Sequence, residues 1–214
     1  MLYEISGGRS SNVVQESGIT DQLLTAAAER RPHAVDDLLA ANRAYVRRVV
    51  QMRVQPQLQA RIDPSDIVQE TLVAASRGLD DFLTRRPTSF RVWLRGHALQ
   101  RLVDAQRRHL SLKRDVRRET EFNEASSMAI VGGIFSNRPS EQLMRRELVD
   151  QIGRALTALN APERDILVMR HGEQLTMAES ADALGISTGA ASKRYGRAIG
   201  RLFSELRKLG VVQD

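Results

Sequence analysis

Residues 176–198 read TMAESADALGISTGAASKRYGRA, and this stretch decides how the C-terminal part of the chain folds. Thr176 with Glu179 three residues later is the pattern of a capping box, which begins a short helix. Gly185 can adopt the positive φ that a tight turn requires, and Ser187 can cap a second helix. Two helices separated by such a turn predict a helix-turn-helix.

The second helix of this motif has one polar, basic face. We expect five side chains to point outward from it: Thr188, Ser192, Lys193, Arg194 and Arg197. The inward face should consist of Ala191, Tyr195, Ala198 and Leu202. In DNA-binding proteins, the second helix enters the major groove with its N-terminal residues at the base edges. An ordinary helix-turn-helix corner inside an all-α protein is the alternative, and the basic outer face favours DNA binding.

Helical periodicity also organises the N-terminal half of the chain. After a mobile tail of residues 1–18, a first helix is predicted over about Asp21–Arg31 and a second over about Ala34–Val54. Asp63 is a suitable N-cap and Pro64 suits the first position of a third helix.

The third helix is expected to weaken at Gly78, because glycine is a poor helix former. A short helix or loop over Asp80–Thr88 should follow, and a fourth helix should start at Thr88 or Ser89. Its apolar residues recur at helical spacing and should be buried together: Phe90, Leu94, Ala98, Leu102 and Ala105.

The helical pattern fails between Glu119 and Pro139, where serine and glycine interrupt it. Residues 119–138 are therefore predicted to be an interdomain linker. Four apolar residues within it could still dock on another part of the protein: Ile130, Val131, Ile134 and Phe135.

Two further helices are predicted before the helix-turn-helix. One covers about Ser140–Leu159, and the next runs from the N-cap Asn160 to about Gly172. The predicted fold is therefore all-α. It consists of two small helical domains, residues 19–118 and 139–214, joined by a flexible linker.

Composition narrows the function classes. The chain has 214 residues, 42% of them hydrophobic, which is enough to bury one ordinary core or two small ones. Its net charge of +6 favours a polyanionic partner, and nucleic acid comes before a membrane surface. The absence of cysteine excludes disulfides and thiolate metal sites, and the four scattered histidines show no ligand spacing. No cofactor is expected.

The N-terminus has no signal segment, and no apolar run approaches the roughly 20 residues that span a bilayer. We therefore expect a cytoplasmic protein without membrane insertion.

Positive charge is concentrated between Arg77 and Arg118. This stretch contains twelve basic and four acidic residues, a local charge of +8 that exceeds the charge of the whole chain. Neutralising phosphates is the natural use of such a stretch, and a solvated helix face is the alternative.

These segments together resemble the small extracytoplasmic-function sigma factors of bacterial RNA polymerase. Residues 62–72, IDPSDIVQETL, resemble the family segment that grips the clamp helices of the largest polymerase subunit. Residues 90–94, FRVWL, together with Ala98 and Asp104, resemble the helix that melts and reads the minus-ten element. Residues 173–198 resemble the unit that reads the minus-thirty-five element.

The resemblance implies three sets of binding residues. Core polymerase would be bound by Asp63, Asp66, Gln69 and Glu70. The minus-ten DNA would be bound by Arg85, Arg86, Arg91, Arg95, Gln100, Arg101, Asp104, Arg107 and Arg108. The minus-thirty-five DNA would be bound by the five outward residues of the helix-turn-helix named above. An unstacked base would enter a pocket in the loop near Asp80–Ser89.

The expected partners are core RNA polymerase and promoter DNA, and the sequence leaves open whether an anti-sigma factor holds the protein inactive. The chain departs from the family at Gln100, where many members have asparagine, and at Ala190 and Ala191, where Thr-Val is commoner. These departures bear on the promoter sequence more than on the function.

Two other functions remain open at this point. A free-standing helix-turn-helix repressor or activator would bind a palindrome as a dimer without polymerase. A recombinase or nuclease would need metal-binding carboxylates or a nucleophile, and the sequence has no convincing set of either. We therefore expect the chain not to be an enzyme.

Overall fold

A computed structural model describes residues 7–54, 58, 61–110, 127, 129–130 and 142–212, with backbone alone for 7–17, 109–110 and 142–146. Within these ranges the chain is helical and contains no strand, so the predicted all-α fold is confirmed. It divides into two compact units, one of Ser10–Glu119 and one that contains Thr120–Asp214. None of the described helices is both long and apolar enough to pass through a membrane.

The N-terminal unit has three mutually packed helices and a fourth that precedes them. They are α1 (Gly7–Ala28), α2 (Ala34–Arg53), α3 (Pro64–Arg85) and α4 (Phe90–Leu110), and α2, α3 and α4 pack on one another. Helix α2 has the predicted bounds within one residue.

Helix α1 differs from the prediction at its start. It begins at Gly7 rather than near Asp21, so much of the segment expected to be a mobile tail is helical. Its contact with α2 includes buried Thr20, whose hydroxyl donates a hydrogen bond to Oδ1 of Asn42 at 3.3 Å. A buried polar side chain of this kind is tolerated because it has a partner.

Helix α3 begins as predicted and ends later than predicted. The Asp63 carboxylate accepts a hydrogen bond from the Ser65 amide at 2.8 Å, with Pro64 in the first turn. The helix continues through Gly78 to Arg85, so the expected break is wrong. A Cβ on Gly78 would lie 3.3 Å from Cζ2 of Trp93, which shows that the indole packs against this glycine. The tertiary contact outweighs the poor helix propensity of glycine.

Helix α4 carries the core of the unit. The five apolar residues predicted to be buried together are each at most 3% exposed: Phe90, Leu94, Ala98, Leu102 and Ala105. Beside them, the Trp93 ring lies 4.7 Å from the Phe82 ring and 5.5 Å from the Phe90 ring, between centroids. Trp93 is therefore a packing residue at the turn between α3 and α4.

The C-terminal unit is built around its last helix. Its helices are α5 (Gln142–Thr157), α6 (Ala161–Leu167), α7 (Met177–Ala183) and α8 (Thr188–Lys208), and α8 packs on the other three. The Asn160 side chain caps α6 as predicted, accepting a hydrogen bond from the Glu163 amide at 3.0 Å. Helix α6 continues into a π-helical turn, Val168–Gly172, which ends where the sequence predicted.

Most of the predicted linker, including Val131, Ile134 and Phe135, lies outside the described residues. Two residues within it are described and buried: Ser127 is 3% exposed and Ile130 is fully covered. The Ser127 hydroxyl oxygen lies 3.4 Å from the position that a Cβ on Gly153 would take, so this point of the chain packs against α5. The expectation that Ile130 docks is confirmed.

We expect Leu94→Ala to lower the free energy of unfolding of the N-terminal unit by about 2–5 kcal/mol, because a fully buried leucine would leave a cavity. Trp93 is the only tryptophan of the chain, so its fluorescence during urea denaturation reports on this unit. Val103→Ala is the matched control, since Val103 lies on the same helix and is 38% exposed. Its effect should stay within about 0.5 kcal/mol. Equal effects of the two changes would contradict the packing described here.

Candidate nucleic-acid interface

The helix-turn-helix forms as its sequence predicts. The Thr176 hydroxyl accepts a hydrogen bond from the Glu179 amide at 3.1 Å, and the Glu179 carboxylate accepts one from the Thr176 amide at 2.7 Å. This reciprocal capping box begins α7. Gly185 adopts a φ of +63° in the turn, and the Ser187 hydroxyl caps α8 by accepting from the Ala190 amide at 3.2 Å.

The first turns of α8 present the predicted outer face. Thr188, Ser192, Lys193 and Arg197 are exposed, and Arg194 is half-buried. The opposite side buries Ala191, Ala198 and Leu202, while Tyr195 is half-buried. The five predicted residues are therefore accessible within the first three turns of α8, and the N-terminal part of a helix entering the major groove contacts base edges.

Two arginines predicted to bind minus-ten DNA are inside the N-terminal unit. Arg91 is 2% exposed and Arg95 is 8% exposed. The Arg91 guanidinium carbon lies 4.3 Å from the centre of the Tyr45 ring, and the Tyr45 hydroxyl donates a hydrogen bond to the Arg91 carbonyl oxygen at 3.1 Å. A guanidinium buried over an aromatic ring is placed for a cation–π contact and not for a phosphate. Burial of both side chains weighs against direct phosphate contacts by Arg91 and Arg95, whose role at the minus-ten DNA stays a prediction.

The other residues of that set are accessible. Arg85, Arg86, Gln100, Arg107 and Arg108 are exposed, and Arg101 and Asp104 are half-buried. The Gln100 amide donates a hydrogen bond to Asp104 at 3.1 Å, and Arg101 lies 4.0 Å from the same carboxylate. Asp104 therefore organises its neighbours on this surface.

The loop predicted to hold the base pocket is shorter than expected. Because α3 runs to Arg85, the loop near Asp80–Ser89 is reduced to the four residues 86–89. Arg86 adopts a φ of +39° at its start.

The first turns of α3 present an acidic face. Asp66, Gln69 and Glu70 are exposed, as predicted. The Asp63 carboxylate is also exposed but is engaged in the helix cap. The sequence-based prediction missed Val73, which is 51% exposed one turn after Glu70. The signal in the sequence was the spacing: Val73 follows Glu70 by three positions, and residues at that spacing lie on the same face of a helix.

Two half-buried rings adjoin these surfaces. Burial lowers the pKa of His97, and the nearby charge of Arg101 lowers it further. His97 packs edge-on against Trp93 at 4.6 Å between ring centres. Burial raises the pKa of the Tyr195 hydroxyl on α8, and the charge of Arg170 opposes that shift. Across the described part of the chain, no three histidine, aspartate or glutamate side chains are grouped to hold a metal ion.

Comparisons with known proteins match both units. Residues 33–111 match the family model for Sigma-70 region 2, and residues 155–204 match the model for Sigma-70 region 4. The chain is 30% identical over 146 residues to the RNA polymerase sigma factor CnrH of Cupriavidus metallidurans, covering 65% of this chain and 71% of that protein. It is 26% identical over 202 residues to the ECF RNA polymerase sigma factor SigD of Mycobacterium bovis, covering 94% and 90% respectively.

A solved structure of CnrH in complex with the cytosolic domain of CnrY shares the fold. Its TM-score with this chain is 0.51 at 24% identity, and the match covers 87% of this chain and 96% of that one.

We expect opposite effects from two glycine substitutions in the helix-turn-helix. Gly185→Ala should destabilise it by about 1–2 kcal/mol, because an alanine strains at a φ of +63°. Gly196→Ala, in the middle of α8, should stabilise it by about 0.5–1 kcal/mol. A Cβ at either position meets no atom within 4 Å, so only the backbone conformation differs. Hydrogen exchange of the slowest α8 amides in the full chain measures both effects. Effects of the same sign would contradict the geometry of the turn.

Proposed function

The chain belongs to the RNA polymerase sigma factors of the sigma-70 family, in the small extracytoplasmic-function group, and we propose how its two units divide the work. As a member of this family, it directs RNA polymerase to promoters. In the proposal, the N-terminal unit binds core polymerase and captures the melted minus-ten strand. The C-terminal unit reads the minus-thirty-five duplex, and the linker over residues 119–138 spans the distance between them.

The acidic face of α3 is the proposed contact with core polymerase. Asp66, Gln69 and Glu70 lie at i, i+3 and i+4 and are exposed, so one partner helix with basic side chains could meet all three. Val73 extends this face with an exposed apolar side chain, the kind of residue that forms the centre of an interface. Glu70 is already 3.8 Å from Arg108, an exposed pair that contributes little to stability and can be exchanged for a partner contact.

The exposed basic residues of α3 and α4 are the proposed contacts with the melted minus-ten strand. Arg85, Arg86, Arg107 and Arg108 are exposed and could contact phosphates in exchange for the exposed pairs of Arg85 with Asp81 and of Arg108 with Glu70, whereas Arg91 and Arg95 are buried. An unstacked base would enter beside the loop at residues 86–89. Capture of the strand in this way would hold the promoter open.

The outer face of α8 is the observation that carries the proposal for the upstream duplex. Four of its five polar or basic side chains are exposed and Arg194 is half-buried, while Ala191 and Ala198 are buried on the side that packs on the unit. A protein partner of the anti-sigma class would regulate the chain by covering one of these surfaces. A free-standing repressor would bind DNA without polymerase, so dependence of promoter binding on core enzyme separates the two functions.

We expect Asp66→Arg combined with Glu70→Arg to weaken binding to core polymerase at least 100-fold. Like charges brought together at an interface cost several kcal/mol, and both residues are exposed on one face. A fluorescence titration of core enzyme with labelled full-length chain measures the affinity.

The control for this change is Asp80→Arg combined with Asp81→Arg, which makes the same charge reversal near the other end of α3. Asp80 and Asp81 are exposed, and the pair of Asp81 with Arg85 that the control removes is exposed and contributes little to stability, so the control should fold and bind core normally. Unchanged affinity of the Asp66 and Glu70 variant, with intact Trp93 fluorescence, would contradict the assignment of the acidic face of α3 to core polymerase.

We expect Arg194→Ala to weaken recognition of the upstream duplex by the polymerase holoenzyme. If Arg194 reaches a guanine edge, the loss should be about 1–3 kcal/mol at one base pair. If it contacts phosphate, the loss should be uniform across sequences, and the slope of log affinity against log salt should fall by about one.

Lys208→Ala is the matched control for Arg194→Ala. It removes the same charge from the last turn of α8, roughly 20 Å farther along the helix, where Lys208 pairs with Glu205 at 2.7 Å. It should change neither affinity nor salt slope. Equal effects of the two variants would show that α8 meets DNA in another orientation.

A further inference from the structure

Tyr195 on α8 is hydrogen-bonded to the helix that precedes the helix-turn-helix. Its hydroxyl lies 3.0 Å from Nε2 of His171, and the two rings are 5.8 Å apart between centres with planes 31° from parallel. Tyr195 directly follows Arg194 in the sequence, in the part of α8 proposed to meet DNA. Because burial raises the pKa of Tyr195, its hydroxyl keeps a proton to donate when Nε2 is unprotonated.

His171 belongs to the π-helical turn Val168–Gly172, and that turn is itself held in place. The Leu175 amide donates a hydrogen bond to the Met169 carbonyl at 2.9 Å, and the Arg170 guanidinium donates one to the Leu175 carbonyl. Leu175 immediately precedes the capping box of α7. The π-helical turn therefore contacts both helices of the motif. It is bonded to Leu175, just before α7, and His171 is bonded to Tyr195 of α8. Short π-helical turns of this kind often occur at functional sites.

The two halves of α8 are fixed to the unit by different contacts. The C-terminal half buries Leu202 and Leu206 completely, and Arg201 pairs with buried Glu163 of α6 at 2.8 Å. The N-terminal half buries Ala191 and Ala198, whose single methyl groups give small contacts without a preferred direction. A hydrogen bond is directional, so the bond from Tyr195 restrains rotation of this half in a way that the alanines cannot.

We infer that the hydrogen bond between Tyr195 and His171 sets the rotation of the N-terminal half of α8 about its axis, and that it thereby controls base selectivity at the upstream element. Tyr195 is in this sense a positioning residue that acts through Arg194 and its neighbours. The inference rests on the proposed function of α8. It concerns selectivity rather than affinity, because phosphate contacts tolerate a small rotation whereas contacts to base edges need defined geometry.

The test compares full-length variants bound to core polymerase. The probes are a duplex selected from a randomised pool by the wild-type holoenzyme and a scrambled duplex of the same length and composition. The selectivity ratio is the affinity for the first divided by the affinity for the second. Tyr195→Phe keeps the ring and removes only the hydroxyl, so it should lower this ratio about 3- to 10-fold, the value of one hydrogen bond. Affinity for the scrambled duplex and the salt slope should not change.

Changes at His171 test whether the effect belongs to the pair. His171→Leu should lower the ratio as much as Tyr195→Phe, and the double variant should lose no more than either single one, because both changes remove the same bond. His171→Gln, which places a polar group near the former position of Nε2, should retain more selectivity than His171→Leu. Additive losses in the double variant would overturn the inference.

Tyr45→Phe is the control for loss of a tyrosine hydroxyl. It removes the 3.1 Å hydrogen bond to the Arg91 carbonyl in the N-terminal unit and should leave selectivity for upstream base pairs unchanged. If Tyr195→Phe keeps the wild-type ratio, or lowers affinity for both duplexes equally, the positioning role is wrong while the proposed function stands. If the wild-type holoenzyme selects no upstream sequence from the pool, the proposed role of α8 fails together with the inference.

Discussion

Burial of one apolar stripe on α8 determines the arrangement of the C-terminal unit. Ala191, Ala198, Leu202 and Leu206 recur on one side of this helix and are fully covered by the three helices before it. Each buried leucine contributes about 1.5–3 kcal/mol, so hydrophobic burial fixes the C-terminal half of the helix and determines which side of α8 faces the unit. The polar side chains on the opposite side are exposed as a consequence. The face that would read DNA is therefore set by packing before any DNA contact is made.

The N-terminal unit separates its charges along an antiparallel pair of helices. The acidic face occupies the start of α3, and basic side chains are exposed at the end of α3 and along α4. The two regions approach each other where Glu70 lies near Arg108. Arg91 and Arg95 show that a basic sequence does not translate directly into a basic surface, because both side chains are covered and one lies over an aromatic ring. Two of the twelve basic side chains in this stretch are thus buried instead of contributing to its surface.

Local features could be predicted from the sequence, and features that depend on distant residues could not. The caps at Asp63, Asn160 and Thr176 involve residues two or three positions apart, so their patterns identify them directly. The continuation of α3 through Gly78 depends on Trp93 from the next helix, which no local propensity reveals. Burial of Arg91 depends in the same way on Tyr45 in α2, which is 46 residues away.

The same distinction applies to the candidate sites. The outer face of α8 and the acidic face of α3 follow from helical periodicity, and the structure places both where periodicity predicted. The contact between His171 and Tyr195 depends on the π-helical turn Val168–Gly172. Periodicity of 3.6 residues predicts neither the hydrogen bonds of a π-helical turn nor the direction of its side chains, so the sequence did not reveal this contact.

The packing of Ser127 against α5 has a consequence for the reach of the protein. Because Ser127 and Ile130 are already part of the C-terminal unit, the tether that connects the end of α4 to this unit is no longer than residues 111–126. Fully extended, that tether spans at most roughly 60 Å. This length is an upper limit on the separation between Leu110 and Ser127. Under the proposed division of work between the two units, it would bound the promoter spacers that one molecule could bridge, and each residue removed from the tether would lower the limit by about 3.5 Å.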